Sequence, residues 1–183
     1  MLAALAVENA SLVGISLGGW LAIDYATRRT ARVTRLVLLA PGGVGRETTS
    51  LPKLLFVVLP LLMLGRWGRR NATAMMLGAP VLAANPAAQV VAEFMDLIFK
   101  HFRQNLARVS RFSDALLQRL TMPVLVIVGA RDAMLDSAET RRRLEQHAAD
   151  LEVRYLADVG HAVVGQTVPI LEFLHREESA SNS

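Results

Sequence analysis

The chain has no cysteine, which excludes a disulfide framework, a thiolate-held metal and a thiol nucleophile together. It also lacks a long hydrophobic run. The longest, 54–64, lies between Lys53 and Gly65 and is interrupted by Pro60, and it falls short of the roughly 20 residues that span a bilayer. The opening MLAALAVE has no basic n-region, so no targeting segment is read there and a cytoplasmic protein is expected. No His-x-x-x-His spacing occurs. Neither a metal site nor a cofactor is therefore expected. Internal repeats and low-complexity segments are missing as well.

Lysine is scarce. Lys53 and Lys100 aside, the positive charge that gives this 183-residue chain its formal +4 is carried by arginine. Trp67 lies among Arg66, Arg69 and Arg70, but no recognised nucleic-acid-binding motif accompanies them, and no nucleic-acid partner is expected. Arg141, Arg142 and Arg143 fall in a helix opened by Asp136 and Glu139 in a capping-box-like start, and read as a solvated face. Charged residues make up 20% of the chain against 52% hydrophobic. The mean hydropathy of +0.34 is more apolar than usual, which fits a core facing absent segments, or a lipophilic lid.

The stretch VGISLGGW at 13–20 is the most informative. It sets a Gly-x-Ser-x-Gly between an apolar, β-branched approach and an Ala-rich helical run. Such a serine sits on a sharp strand-to-helix turn, where glycines two residues to either side leave room that a Cβ would fill. The turn lifts the Ser16 hydroxyl clear of the sheet and aims the Leu17 amide, at a helix N-terminus, toward a developing oxyanion.

Partners for that serine should follow in the order carboxylate, then histidine, on loops after later strands. PVLVIVGARD at 123–132 is an unbroken apolar run, as a strand buried on both faces requires, with Asp132 just past its end. LEVRYL at 151–156 reads as a last strand, and ADVGH at 157–161 places His161 in the loop after it. Asp136 precedes Ser137, Ala138 and Glu139 and reads as a helix cap. Asp158 is on the wrong strand for the acid and is expected to hold its loop together. His101, His147 and His175 sit among charged residues and are expected to face solvent.

GISLGG at the elbow, MPVLVIVGARD at the acid loop, and DVGH before a helix containing PILEFL together resemble the α/β-hydrolase family. The resemblance covers 1–45 and 120–176. It implies Ser16 as nucleophile, His161 as general base and acid, and Asp132 as the carboxylate that orients the imidazole. The expected fold is α/β: the C-terminal part of an α/β-hydrolase sheet, about four parallel strands, with an inserted helical cap. Strands are expected at 11–15, 35–40, 123–128 and 151–156, and the helix behind the serine over 17–30. The organisation expected is a partial core over 1–45, a helical cap or lid over 46–119, the core continued over 120–176, and a disordered tail over 177–183.

Only fifteen residues precede Ser16, where members of the family carry several strands and a second oxyanion loop. The Leu17 amide is therefore expected to be the sole oxyanion donor, and losing one donor costs about 10²–10³ in turnover. The free edge of the elbow strand, 12–15, has neither charge nor proline to blunt pairing, so self-association through it, or aggregation, is expected. The activity implied is hydrolysis of a carboxylic ester or a similar small hydrophobic acyl substrate through an acyl-enzyme. Two alternatives stay open: carbon–carbon bond hydrolysis with the same residues, and an inactive truncated fragment or binding module.

Overall fold

The computed structural model describes residues 7–48 and 109–176, together with 64, 94, 97 and 101. Four strands within them form one parallel sheet in sequential order: β1 (Ala10–Ile15), β2 (Val33–Leu39), β3 (Pro123–Gly129) and β4 (Asp150–Leu156). The helices are α1 (Leu17–Arg28), the short α2 (Asp114–Leu117), α3 (Ser137–His147) and α4 (Thr167–His175). Val13 pairs with Val37, Leu38 with Val126, and Val128 with Tyr155.

The sequence explains the layering. Strand side chains alternate between faces, and the two central strands are apolar on both. Leu36, Leu38, Val124 and Val126 pack with Ile23 and Ala26 of α1 and Leu144 of α3. Val37, Leu39, Leu125 and Ile127 form a second cluster with Phe173 of α4. Each of these leucine, isoleucine, valine and phenylalanine side chains contributes about 1.5–3 kcal/mol by leaving water. The sheet is thus covered on both faces, and its strands all end toward one rim, where parallel α/β sheets carry their sites.

Boundaries differ slightly from the expected ones. Helix α1 stops at Arg28 because Arg29 leaves helical geometry at φ −139°, and a 3₁₀ turn over Thr30–Arg32 leads into β2. That strand begins at Val33, which pairs with Ala10. It ends before Ala40, whose φ of 41° is left-handed. Of the span assigned to the insertion, the apolar run 54–63 and most of 86–108 lie outside the described residues, as does the tail. Ahead of β3, Phe112 and Leu117 at the C-terminal end of that span and Leu120 just past it are buried in the first cluster, and Phe112 stacks on Trp20 with ring centroids 5.5 Å apart. Strand β1 pairs with β2 alone among the described residues, and Val13 and Ile15 are exposed. No helix among the described residues is long and apolar enough to cross a membrane.

Two expectations fail on α3. Arg143 is buried, not solvated: its guanidinium donates to the carbonyls of Val44 and Phe112 and to the Asp114 carboxylate. It satisfies a carbonyl in each of two segments outside the sheet, and its hydrogen bond holds Asp114 below the usual carboxylate range. His147 is half-buried beside the same carboxylate, with Nε2 3.4 Å from Asp114 Oδ1. His101 and His175 are exposed as expected.

Candidate active site

Strand β1 delivers Ser16 into a turn of unusual backbone geometry, φ 51° and ψ −112°. A non-glycine residue there stores on the order of 1–3 kcal/mol, so the surroundings must impose it. They do so through both backbone groups. The Ser16 amide donates to the Leu39 carbonyl at 2.9 Å, and its own carbonyl accepts from Gly42 at 3.0 Å and Trp20 at 3.1 Å. A Cβ on Gly14 would run into the Gly18 carbonyl and Gly19 Cα, and one on Gly19 would meet Pro41 at 2.9 Å. A Cβ on Gly18 would meet nothing within 4 Å. The expectation that both motif glycines make room is therefore corrected: Gly14 does so, with Gly19 in place of Gly18.

Asp132 follows β3 in a turn that consumes one of its oxygens. Its Oδ1 accepts from the amides of Met134 at 2.8 Å and Leu135 at 3.0 Å. Its Oδ2 is left for His161 Nδ1, at 2.8 Å. The carboxylate side chain is 1% exposed. The acid loop and the histidine loop are laid together by backbone bonds, Ala130 to the Leu156 carbonyl at 2.8 Å and Arg131 to the Val159 carbonyl at 3.0 Å. Gly129 permits this approach, since a Cβ there would strike the Val159 and Gly160 carbonyls. Asp158 pairs with Arg131 at 2.6 Å with both side chains exposed, a contact of small energy. Asp136 caps α3 by accepting from the Glu139 amide.

His161 is buried, and its Nε2 lies 3.0 Å from Ser16 Oγ. Ser16, His161 and Asp132 thus stand in one hydrogen-bonded line, although 145 residues separate the serine from the histidine. With Nδ1–H donated to the carboxylate, Nε2 presents a lone pair to the hydroxyl. That arrangement can take the hydroxyl proton as the oxygen attacks an electrophilic carbon. Leu17 opens α1, so its amide is among those with no partner inside the helix, at the positive end of the helix dipole. Among the described residues no group of three or more potential metal ligands gathers.

Sequence reasoning missed two supports. Gly42 reads as a loop residue, yet its amide fixes the serine carbonyl; nothing in the local sequence signals that. Glu139 reads as a capping-box partner, but its carboxylate does not return to the cap. It accepts from Arg46 and Arg111.

The chain is similar to several solved hydrolases. It is 23% identical to a meta-cleavage product hydrolase from Pseudomonas fluorescens IP01, with a TM-score of 0.68 over 94% of this chain and 67% of that one. It is 21% identical to a carboxylesterase from Bacillus subtilis, with a TM-score of 0.70 over 95% of this chain and 62% of the other. An enol-lactonase from Burkholderia xenovorans LB400 gives 19% identity and a TM-score of 0.67, over 96% and 69%. Likeness at these identities is one of fold, and the chain spans about two thirds of each protein's length. No curated protein matches the chain significantly. The sequence model of the Alpha/beta hydrolase family matches residues 1–173, and the described residues form one parallel sheet; the chain belongs to the α/β-hydrolase family.

Proposed function

We propose that the chain is a serine hydrolase of small hydrophobic carboxylic esters, with Ser16 as nucleophile, His161 as general base and then acid, and Asp132 as the orienting carboxylate. The hydrogen-bonded line from Ser16 Oγ through His161 to Asp132 carries this reading. His161 Nε2 takes the hydroxyl proton as the Ser16 oxygen bonds to the acyl carbon, and returns it to the leaving alcohol as the ester bond breaks. Water then attacks the acyl-enzyme, gives its proton to His161, and releases the acid with Ser16 restored. The Leu17 amide stabilises the oxyanion. Ile15 and Leu17, on either side of the serine, and Val164, beyond the histidine, are exposed apolar side chains, which supports an uncharged acyl group.

Carbon–carbon bond hydrolysis is a second reading, favoured by the likeness to a meta-cleavage product hydrolase. Steady-state kcat/KM on p-nitrophenyl esters and on a vinylogous diketone tests both. Ester turnover that disappears in Ser16→Ala supports the proposal. Diketone cleavage with no ester turnover supports the second reading. Ester turnover unchanged in Ser16→Ala rejects both.

A further inference from the structure

We propose that Glu139 is a positioning residue for Asp132, acting through the chain at Arg46 to Thr48; the catalytic part of this inference rests on the reading of Asp132 given above. Glu139 is in the first turn of α3, and its side chain is 8% exposed. A carboxylate so buried is costly unless paired. Its Oε2 accepts from the Arg46 amide at 2.8 Å and Arg46 Nε at 3.0 Å, its Oε1 from Arg111 at 2.6 Å, and Arg142 lies 3.6 Å away. Burial alone would raise the Glu139 carboxyl, and the Arg46 amide and Arg111 guanidinium more than reverse it, holding the group below its usual range.

Arg46 and Arg111 belong to segments far from α3 in sequence. What they are anchored for is visible one hydrogen bond further on. The Arg46 carbonyl accepts from the Asp136 amide at 2.9 Å, the Thr48 amide donates to the Met134 carbonyl at 2.9 Å, and Thr48 Oγ1 donates to the Ala133 carbonyl at 2.8 Å. Glu47 and Leu135 form an antiparallel bridge. Residues 46–48 are therefore a splint laid along 133–136. Those same residues supply the Met134 and Leu135 amides that hold Asp132 Oδ1. Glu139 pins one end of the splint, and the splint fixes the turn that aims Oδ2 at His161. An ordinary cap residue would need only its own helix. This carboxylate spends both oxygens on the splint and on Arg111.

The test compares the parent with Glu139→Gln, Arg46→Met and a matched core variant, Leu120→Val. Two readouts are taken: kcat and KM on a short ester, and the proton resonance of the His161 Nδ1–H, which reports its bond to Asp132 whether or not the protein turns over. The proposal expects Glu139→Gln to lower kcat about 10- to 100-fold with KM nearly unchanged, as misplacement of a remote support does. It also expects loss or broadening of the Nδ1–H resonance. Arg46→Met, whose side chain is largely exposed and whose amide remains, should show a smaller change in the same direction if Glu139→Gln fails to fold. Leu120→Val should leave both readouts unchanged at equal loss of Tm. A Glu139→Gln protein that loses Tm but keeps the parent resonance overturns the positioning role. Should the parent prove inactive on esters, the resonance alone decides for or against it.

Discussion

Replacing Asp132 by asparagine changes almost no volume but reverses one hydrogen bond. The retained oxygen can still accept from the Met134 and Leu135 amides, at 2.8 and 3.0 Å in the parent. The new amide group then faces His161 Nδ1, which accepts from the parent carboxylate's position at 2.8 Å only by giving up its own proton. The imidazole is driven into the other tautomer, with Nε2–H pointing at Ser16 Oγ, 3.0 Å away. A protonated Nε2 cannot receive the hydroxyl proton, so kcat should fall by about 10⁴, the scale known for this change in a serine–histidine–aspartate arrangement. Stability should change little because every buried amide keeps an acceptor. Asp132→Ala, in contrast, strands the two amides and the imidazole N–H, at about 1–3 kcal/mol for each buried group left unpaired. The assay is stopped-flow acylation by a p-nitrophenyl ester beside thermal denaturation. An Asp132→Asn protein within tenfold of the parent, well folded, would refute the tautomer argument.

The elbow and the acid side of the pH range offer further checks. Gly18→Ala should fold and turn over like the parent because open space surrounds that position, whereas Gly14→Ala, facing the Gly18 carbonyl, should be insoluble or lose several degrees of Tm; equal behaviour of the two would contradict the packing described. Glu139 lies below its ordinary value of 4.5, so the stability it confers is present above that pH and lost as pH falls through the lowered folded-state value. The Tm gap between the parent and Glu139→Gln should accordingly be full near neutrality and close as pH falls below 4.5; a gap independent of pH would sink that claim. Across a p-nitrophenyl series, kcat/KM should rise with added methylenes and drop for an anionic acyl chain, and the reverse order would rule out an apolar acyl site.

The sheet was legible because β2 and β3 are buried on both faces, and burial on both faces leaves a run such as VLVIV with no polar alternation. The order of serine, aspartate and histidine was legible for a related reason: each lies in the loop or turn that follows a strand, within five residues of its end, so local signals and topology agree. Arg143 was not, because a triplet of arginines on a helix carries no mark of which one turns inward; its partners, the Val44 and Phe112 carbonyls, are 99 and 31 residues away. Glu139 misled for the opposite reason. A local motif accounted for it completely, and the stronger pull came from Arg46, 93 residues earlier. Gly18 was misread because the spacing of a motif names two glycines, while sterics at this turn require Gly14 and the next one along, Gly19.

The central claim is that Ser16 is made nucleophilic by His161. Peptide mapping of a fluorophosphonate adduct by mass spectrometry tests it most directly, with labelling rates measured in the parent, Ser16→Ala and His161→Ala. The account predicts a single adduct on Ser16, none in Ser16→Ala, and labelling slowed by orders of magnitude in His161→Ala. An adduct on another residue, or labelling of Ser16 at the parent rate without His161, would contradict it.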